Sequence, residues 1–272
     1  MAHNWICSAE KVGLRKNLYL VAFEDGVCSQ LPKDIPCYQH PGAHYHSTVF
    51  SEPEYQKLMI ERTRLILKLL SCTSKLALVD ADITFLKNPL PYLNALTDDK
   101  DPFTEDKDIV FQADSTRVKF LDNILPRVFD YICGGFIFMK TNYAVRQLWL
   151  SVLKYQEEFL WNDQAGLNIC IRHYTQTVRW DTLDSKKFPN GQQFFAYGER
   201  SSESMIVHAN HLEGKEKVVR MISADVWCYT PVAVEMCNGT AYETLCSASD
   251  SMPEWCPAFQ QVCANRYGIV IQ

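Results

Sequence analysis

The chain has 272 residues, of which 47% are hydrophobic and 22% charged, and its formal net charge at pH 7 is −5. These values are typical of a globular protein with enough length to bury a core, and the negative charge argues against nucleic acid or an anionic membrane as the main partner. No apolar run approaches the roughly 20 residues that span a bilayer, and the N-terminus lacks the basic and then apolar pattern of a signal peptide. We therefore expect neither a membrane span nor a signal in these residues.

Along the chain, apolar runs typical of buried strands alternate with segments of helical periodicity. The first helix is predicted over residues 5–12, the first strand over 18–23 and a longer helix over 51–70. Further strands are predicted at residues 76–83, 108–114, 136–140, 178–181 and 205–208, with helices between most of them. This alternation predicts an α/β fold with a mostly parallel sheet that helices cover on both faces.

The strand at residues 76–83 runs from four apolar residues straight into Asp80, Ala81 and Asp82. On an extended strand, residues two apart point to the same side, so we expect the two carboxylates to project together. They repel each other unless a cation lies between them. The same spacing recurs at residues 99–101 and 106–108, but those pairs lie in a charged stretch that reads as a solvated loop. The sequence therefore predicts a metal site at Asp80 and Asp82.

Polar groups also follow other predicted strands. Asp114 ends one strand, the pair Gly134 and Gly135 precedes another, and His208 ends the last. Paired glycines indicate close approach of the backbone to a neighbouring element or to a ligand. Ligands of open α/β sheets bind outside the carboxyl ends of the strands, so Asp80, Asp82, Asp114 and His208 are candidates for one site.

The donor set at that site indicates the ion and the ligand. Two carboxylates and an imidazole with open positions left over suit Mn²⁺ or Mg²⁺ holding a substrate diphosphate. Lys215 and Lys217 lie just beyond His208 and would neutralise the remaining phosphate charge.

Eleven cysteines are the strongest compositional signal, and five of them cluster near the C-terminus: Cys228, Cys237, Cys246, Cys256 and Cys263. The cluster has no C-x-x-C motif and no histidine, so we predict disulfides rather than a zinc site. Asn238-Gly239-Thr240 is an acceptor sequence for N-glycosylation. Together these features predict an oxidising compartment, the Golgi lumen or another part of the secretory pathway. Because the count is odd, at least one thiol lies outside the intrachain pairs.

Taken in order, the motifs resemble those of the retaining glycosyltransferases of the nucleotide-diphospho-sugar transferase type, the group that includes the plant rhamnogalacturonan xylosyltransferases. The resemblance covers roughly residues 4 to 222. Its segments are Asn4-Trp5-Ile6-Cys7, residues 78–83 with Lys87-Asn88-Pro89, residues 134–138, Asn162-Asp163-Gln164 with Asn168, residues 188–191, and His208-Ala209-Asn210 with Gly214.

This resemblance implies a GT-A fold, a cation held by Asp80, Asp82 and His208, and a nucleotide-sugar donor that is UDP-linked. It also implies retention of the anomeric configuration and transfer to a hydroxyl of a glycan or glycoprotein. By the same resemblance, Asp163 and Gln164 lie near the anomeric carbon, with Asp163 as nucleophile or stabiliser. Asp114, Gly134 and Gly135 line the sugar pocket. Trp180 stacks on the acceptor. We take residues 1–225 as the GT-A glycosyltransferase domain and residues 226–272 as a cysteine-rich extension packed on it.

Three points stay open at the level of sequence. Relative to the family, the first strand of the nucleotide-binding half is missing before Asn4. A second histidine, in His211-x-x-Gly214-x-x-Lys217, matches the metal-binding ending of a related retaining family and competes with His208. The alternative function is a catalytically impaired, secreted and disulfide-rich binding domain on a transferase scaffold.

Overall fold

The computed structural model describes residues 1–41, 52–98, 106–115, 131–174, 176–238 and 256–267. The chain divides into two compact units. We call the first the sheet unit, which comprises Asn17–Asp80 and Pro89–Asp184, and the second the terminal unit, which comprises Met1–Lys16, Ala81–Asn88 and Ser185–Gln272. Each unit is built from segments that are distant in the sequence.

The described residues form the following strands and α-helices. The strands are β1 Leu20–Ala22, β2 Cys37–Gln39, β3 Lys75–Val79, β4 Ile83–Phe85, β5 Ile109–Ser115, β6 Tyr131–Lys140, β7 Trp180–Thr182 and β8 Ile206–His208. The α-helices are α1 Ala2–Lys11, α2 Val27–Gln30, α3 Pro53–Leu69, α4 Leu90–Thr97, α5 Tyr143–Phe159, α6 Asp163–His173, α7 Gly214–Ser223, α8 Thr230–Asn238 and α9 Cys256–Tyr267. None of these described helices is both long and apolar enough to cross a membrane.

The sheet unit contains a four-stranded sheet with the strand order β3-β6-β5-β7. Strand β7 pairs with β5 in parallel, and β1 and β2 form a separate parallel pair. The predicted α/β class is confirmed, and the sheet contains a parallel pair, but it is mixed rather than mostly parallel because β6 runs antiparallel to both of its neighbours, β3 and β5. A strand buried on both faces has the same apolar composition in either direction, so the sequence does not reveal its direction.

Helices α3, α5 and α6 pack their apolar stripes with strands β5 and β6 into one core. Trp149 of α5 is fully buried, and its Nε1 donates a hydrogen bond to Sδ of Met139 on β6 at 3.2 Å. Helix α5 starts after Asn142, whose Oδ1 accepts from the backbone N of Val145 at 2.9 Å. This cap satisfies one of the backbone donors that a helix start leaves without a partner.

The D-x-D pair at Asp106 and Asp108 is buried, whereas the sequence predicted a solvated loop. Their exposed fractions are 8% and 4%. Arg179 donates to both carboxylates, and Lys140 at the end of β6 pairs with Asp106. Burial alone would raise the pKa of Asp108, but hydrogen bonds from Arg179 lower it. The loop prediction was wrong here because both cationic partners are more than 30 residues away; the pair at residues 99–101 lies outside the described residues.

In the terminal unit, Asn4 of α1 joins three segments. Its Nδ2 donates to Oγ1 of Thr84 on β4 at 3.0 Å, and its Oδ1 accepts from the backbone N of Cys228 at 2.5 Å and of Tyr229 at 3.2 Å. The residue is 1% exposed, so these bonds replace the hydration that it loses. One turn further along α1, Cys7 forms a disulfide with Cys228. The first family motif therefore has a structural role in this unit.

The predicted disulfides are confirmed. The bonds are Cys7–Cys228, Cys28–Cys37 and Cys237–Cys263, and Cys256 is disulfide-bonded as well. Within the described residues, Cys72, Cys133 and Cys170 are not part of a disulfide. The disulfide between α8 and α9 lies in a core that these two helices share with α7 and β8, so the C-terminal helices are an integral part of the terminal unit.

Candidate active site

Asp82 and His208 face each other where β4 begins and β8 ends. The two strands pair in antiparallel register with Ile83 opposite His208, and the backbone N of Ala209 donates to the carbonyl O of Asp82 at 3.1 Å. This register places Oδ1 of Asp82 at 3.2 Å from Nε2 of His208. Lys217 of α7 approaches from the other side and donates from Nζ to Oδ2 of Asp82 at 2.6 Å.

The electrostatics keep the carboxylate of Asp82 ionised. Burial alone would raise its pKa, but His208 and Lys217 outweigh burial and lower the pKa well below its usual range. His208 is 2% exposed, so neither the imidazole nor the carboxylate is shielded from the other by bulk water.

The same pair fits a divalent cation. Oδ1 of Asp82 is buried and has no hydrogen-bond partner of good geometry among the described residues. An imidazole nitrogen and a carboxylate oxygen that face each other with lone pairs require a proton or a cation between them. Two ligands bound at right angles to one cation, each at about 2.1–2.2 Å, lie about 3 Å apart, and the observed separation is 3.2 Å.

Asp80 is the third predicted ligand. It lies two residues before Asp82 in the sequence, at the end of the first segment of the sheet unit. Asp80 follows β3, Asp82 precedes β4, and the two residues lie in a turn rather than on one extended strand. The sequence predicted one continuous strand that carries both carboxylates, but the structure has a turn between two strands at this place.

Arg62 of α3 connects Asp80 to Asp163, and the sequence had assigned no role to it. Its guanidinium pairs with Oδ2 of Asp163 and donates to Oδ1 of Asp80 at 2.9 Å and to the carbonyl O of Gly134 at 3.0 Å. Burial alone would lower the pKa of Arg62, but Asp163 and Asp80 outweigh it and raise the pKa. The sequence did contain a signal for a buried arginine, because Arg62 lies three residues after Met59 and therefore on the apolar face of α3.

Asp163 and Gln164 occupy the first turn of α6. Asn162 is the N-cap, since its Oδ1 accepts from the backbone N of Ala165 at 2.8 Å, so Asp163 is not needed for capping. Asp163 is 3% exposed. Oε1 of Gln164 accepts from the backbone N of Gly134 at 2.9 Å, and its Nε2 donates to Oδ2 of Asp114 at 3.0 Å. This network joins the predicted catalytic residues to two predicted donor-binding residues.

Gly134 lies where helix α6 approaches strand β6 closely. A Cβ there would lie 3.3 Å from Cβ of Gln164 and 3.6 Å from Oδ1 of Asp163. Next along β6, the carbonyl O of Gly135 accepts from the backbone N of Asp80 at 2.8 Å. Of the two explanations that the paired glycines left open, a neighbouring element accounts for Gly134.

The remaining predicted site residues are more dispersed. Lys215 is exposed on the first turn of α7, while Lys217 reaches Asp82. His211 is exposed and has a left-handed backbone with φ of 63°, so His208 is the histidine beside Asp82.

Trp180 lies away from the predicted catalytic residues. It pairs with Ile109, five residues before Asp114 on β5, which corresponds to about 16 Å along the strand. Its ring meets that of Phe111 edge-on with centroids 6.3 Å apart. The structure therefore does not bring Trp180 together with Asp114, and its acceptor role stays a prediction.

The chain belongs to the nucleotide-diphospho-sugar transferase family, whose model matches residues 16–221. It is thus a glycosyltransferase, and the resemblance seen in the motifs is confirmed. Among solved structures it is similar to a glycosyltransferase involved in the glycosylation of the major capsid of PBCV-1, with 14% sequence identity, 75% of this chain and 95% of that chain covered, and a TM-score of 0.41. No curated protein matches its sequence.

Proposed function

We propose that the protein is a metal-dependent, retaining glycosyltransferase that moves a sugar from a UDP-linked donor to a hydroxyl of a glycan or glycoprotein. In this reaction the bond from the anomeric carbon to the diphosphate oxygen breaks, a bond to the acceptor oxygen forms, and the hydroxyl proton leaves with the diphosphate or to water. The observation that carries the proposal is the Asp82–His208 pair, in which a buried carboxylate oxygen and an imidazole nitrogen face each other at 3.2 Å.

Asp80, Asp82 and His208 would hold Mn²⁺ or Mg²⁺. A bound divalent cation supplies positive charge that offsets the charge of the leaving diphosphate. Lys217 is placed on Oδ2 of Asp82 at 2.6 Å, and its ammonium adds a further positive charge for the diphosphate when it exchanges that partner. Exposed Lys215 is proposed to contact the outer part of the same donor.

Asp163 is the proposed nucleophile or stabiliser of the positive charge that develops at the anomeric carbon. Its ion pair with Arg62 fixes the direction of the carboxylate. Gln164, Asp114 and Gly134 are already connected by hydrogen bonds, and with Gly135 they are proposed to line the sugar site. Retention follows either from attack by Asp163 on the face opposite the leaving group or from same-face attack guided by the leaving group.

The proposed location is the Golgi lumen or another part of the secretory pathway. The disulfides support it, because disulfides persist in oxidising compartments, and the acceptor sequence at residues 238–240 would then be available for N-glycosylation. We also propose that residues 1–225 form the GT-A domain and residues 226–272 its cysteine-rich extension.

The test is a thermal shift with UDP and MnCl₂, followed by manganese-dependent hydrolysis of a panel of UDP-sugars. We expect UDP to raise the melting temperature only with Mn²⁺. Asp82→Asn or His208→Ala is expected to weaken the apparent affinity for Mn²⁺ by at least about 100-fold. His211→Ala is the matched control and is expected to behave as the wild type.

Three results would count against the proposal. No shift with UDP and manganese would reject the metal-dependent donor site and favour the impaired binding domain. A shift without hydrolysis or transfer would favour a binding domain that has kept its donor site. Loss of the shift in His211→Ala, but not in His208→Ala, would reverse the choice of histidine.

A further inference from the structure

Three consecutive apolar residues with exposed side chains lie at the end of α5 and in the short segment before α6, immediately before the proposed catalytic residues. Phe159, Leu160 and Trp161 are 51%, 58% and 49% exposed. We call these residues, with Tyr155 of α5, the α5–α6 junction. Single exposed apolar residues are ordinary on protein surfaces, but a contiguous group of large ones indicates a binding surface.

The rings of the α5–α6 junction support one another. The ring centroids of Tyr155 and Phe159 are 4.7 Å apart, and those of Tyr155 and Trp161 are 5.8 Å apart with the planes at 86°. The ring of Tyr155 thus contacts both of the others and limits their movement, while about half of each outer side chain remains open to solvent. Such a pre-organised aromatic surface loses little conformational entropy when a ligand binds.

The backbone of the junction is also unusual. Leu160 has φ of 52° and ψ of 45°, the left-handed conformation, at the C-terminus of α5. Glycine or asparagine normally occupies this position, because a Cβ is disfavoured there. Leu160 is therefore unfavourable for this backbone conformation, and its exposed side chain adds no stability through burial. A residue of this kind is expected where function rather than stability selects it.

We propose that the α5–α6 junction is the acceptor-binding surface and that its occupant is a carbohydrate chain. Sugar rings present faces of weakly positive C–H groups, which pack on the negative faces of aromatic rings. Trp161 is two residues from Asp163, so their Cα atoms are at most about 7 Å apart. The junction thus adjoins the first turn of α6, and a sugar chain stacked on it would lie beside that turn. This inference rests on the proposed transferase function, because only a transferase places an acceptor beside Asp163.

The experiment measures direct binding to an array of oligosaccharides that carries common hexoses, pentoses and uronic acids in α and β linkage. No donor and no metal are added, so the readout is separate from the test of UDP binding. The variants are Phe159→Ala, Trp161→Ala and Leu160→Gly. Leu160→Gly is informative because glycine adopts the left-handed conformation without strain, so this variant is expected to be no less stable than the wild type.

Matched controls distinguish this surface from others. Tyr143→Ala removes another exposed aromatic residue, 77% exposed, at the opposite end of α5. Trp180→Ala tests the acceptor residue that the sequence resemblance implied. Each variant is compared with the wild type by its melting temperature before the array is used.

We expect the wild type to bind at least one glycan. Trp161→Ala, Phe159→Ala and Leu160→Gly are expected to weaken that binding at least about 10-fold, and Tyr143→Ala is expected to leave it unchanged. Unchanged binding in the three junction variants, loss of binding in Trp180→Ala alone, or no glycan bound by the wild type would overturn the proposal. A wild type that binds glycans through the junction but shows no manganese-dependent shift with UDP would instead refute the proposed transferase function.

Discussion

At the scale of single residues, the site depends on charges that find partners far away in the sequence. Arg62 is 18 residues from Asp80 and 101 residues from Asp163. Asp82 finds Lys217 after 135 residues. Each carboxylate was recognisable from its own surroundings, since Asp80 and Asp82 follow an apolar run and Asp163 belongs to a family motif. Their partners Arg62 and Lys217 were not recognisable, because a basic residue on a helix is most simply interpreted as solvent-exposed until its acidic partner is known.

Arg62→Ala is expected to lower the free energy of unfolding by about 3 kcal/mol or more, because it leaves the buried carboxylate of Asp163 without its cation. Arg62→Lys keeps the charge but loses the fork that reaches two carboxylates, so we expect an intermediate loss. Urea denaturation followed by circular dichroism measures both.

Arg64, two residues along α3, provides the control for this comparison. It pairs with Glu61 and Glu157 on the surface, with 46% of its side chain exposed, and Arg64→Ala should cost no more than about 1 kcal/mol. If Arg62→Ala cost no more than Arg64→Ala, the proposed support of Asp163 by Arg62 would be wrong.

At the scale of elements, turns do more to assemble the site than the sequence suggested. The strand predicted over residues 76–83 is two strands, β3 and β4, separated by the turn that carries Asp80 and Asp82. The sequence predicted the apolar runs, the glycines and the polar strand ends well, since burial and φ preferences are local properties. It did not predict where the long strand breaks or which way β6 runs, because these depend on pairing with strands elsewhere in the chain.

Gly191 provides an element-scale test, because it packs against the loop that follows His208. Its backbone N donates to Oδ1 of Asn210 at 2.5 Å, and a Cβ at this position would lie 1.9 Å from the backbone O of Asn210. Gly191→Ala therefore forces the loop to move, and we expect the free energy of unfolding to fall by about 3 kcal/mol. Thermal and urea denaturation report the loss.

Gly13→Ala separates this steric effect from backbone strain. Gly13 has φ of +77° but nothing within 4 Å of an added Cβ, so alanine there meets only the left-handed conformation, at about 1–2 kcal/mol. A loss in Gly191→Ala no larger than that in Gly13→Ala would contradict the proposed packing of Gly191 against Asn210.

At the scale of the whole molecule, the terminal unit is held by a bond between its first and last thirds. The disulfide Cys7–Cys228 closes a span of 221 residues, whereas Cys28–Cys37 in the sheet unit closes a span of 9. In the chain-entropy description, the longer span removes more freedom from the unfolded chain, so the two bonds differ in their contribution to stability even though both are single covalent links.

Replacing Cys7 and Cys228 by serine is expected to lower the free energy of unfolding by about 5 kcal/mol, against about 3 kcal/mol for the same change at Cys28 and Cys37. Urea denaturation of the two double variants measures the difference. Cys72→Ser, at an exposed free thiol, is expected to have no measurable effect. Equal losses in the two double variants would show that loop length does not determine the stabilisation.

The interleaved composition of the terminal unit has a consequence for the order in which the chain folds during synthesis. Helix α1 leaves the ribosome before the rest of the described residues, and the residues that complete its surroundings, Cys228 and Tyr229, are added more than 210 residues later. At about 5–20 residues per second, that interval is roughly 10–45 s. During this time the thiol of Cys7 has no native partner, while Cys28 and Cys37 meet within seconds. Folding of the protein therefore depends on keeping the first helix and its thiol available until the last third of the chain arrives.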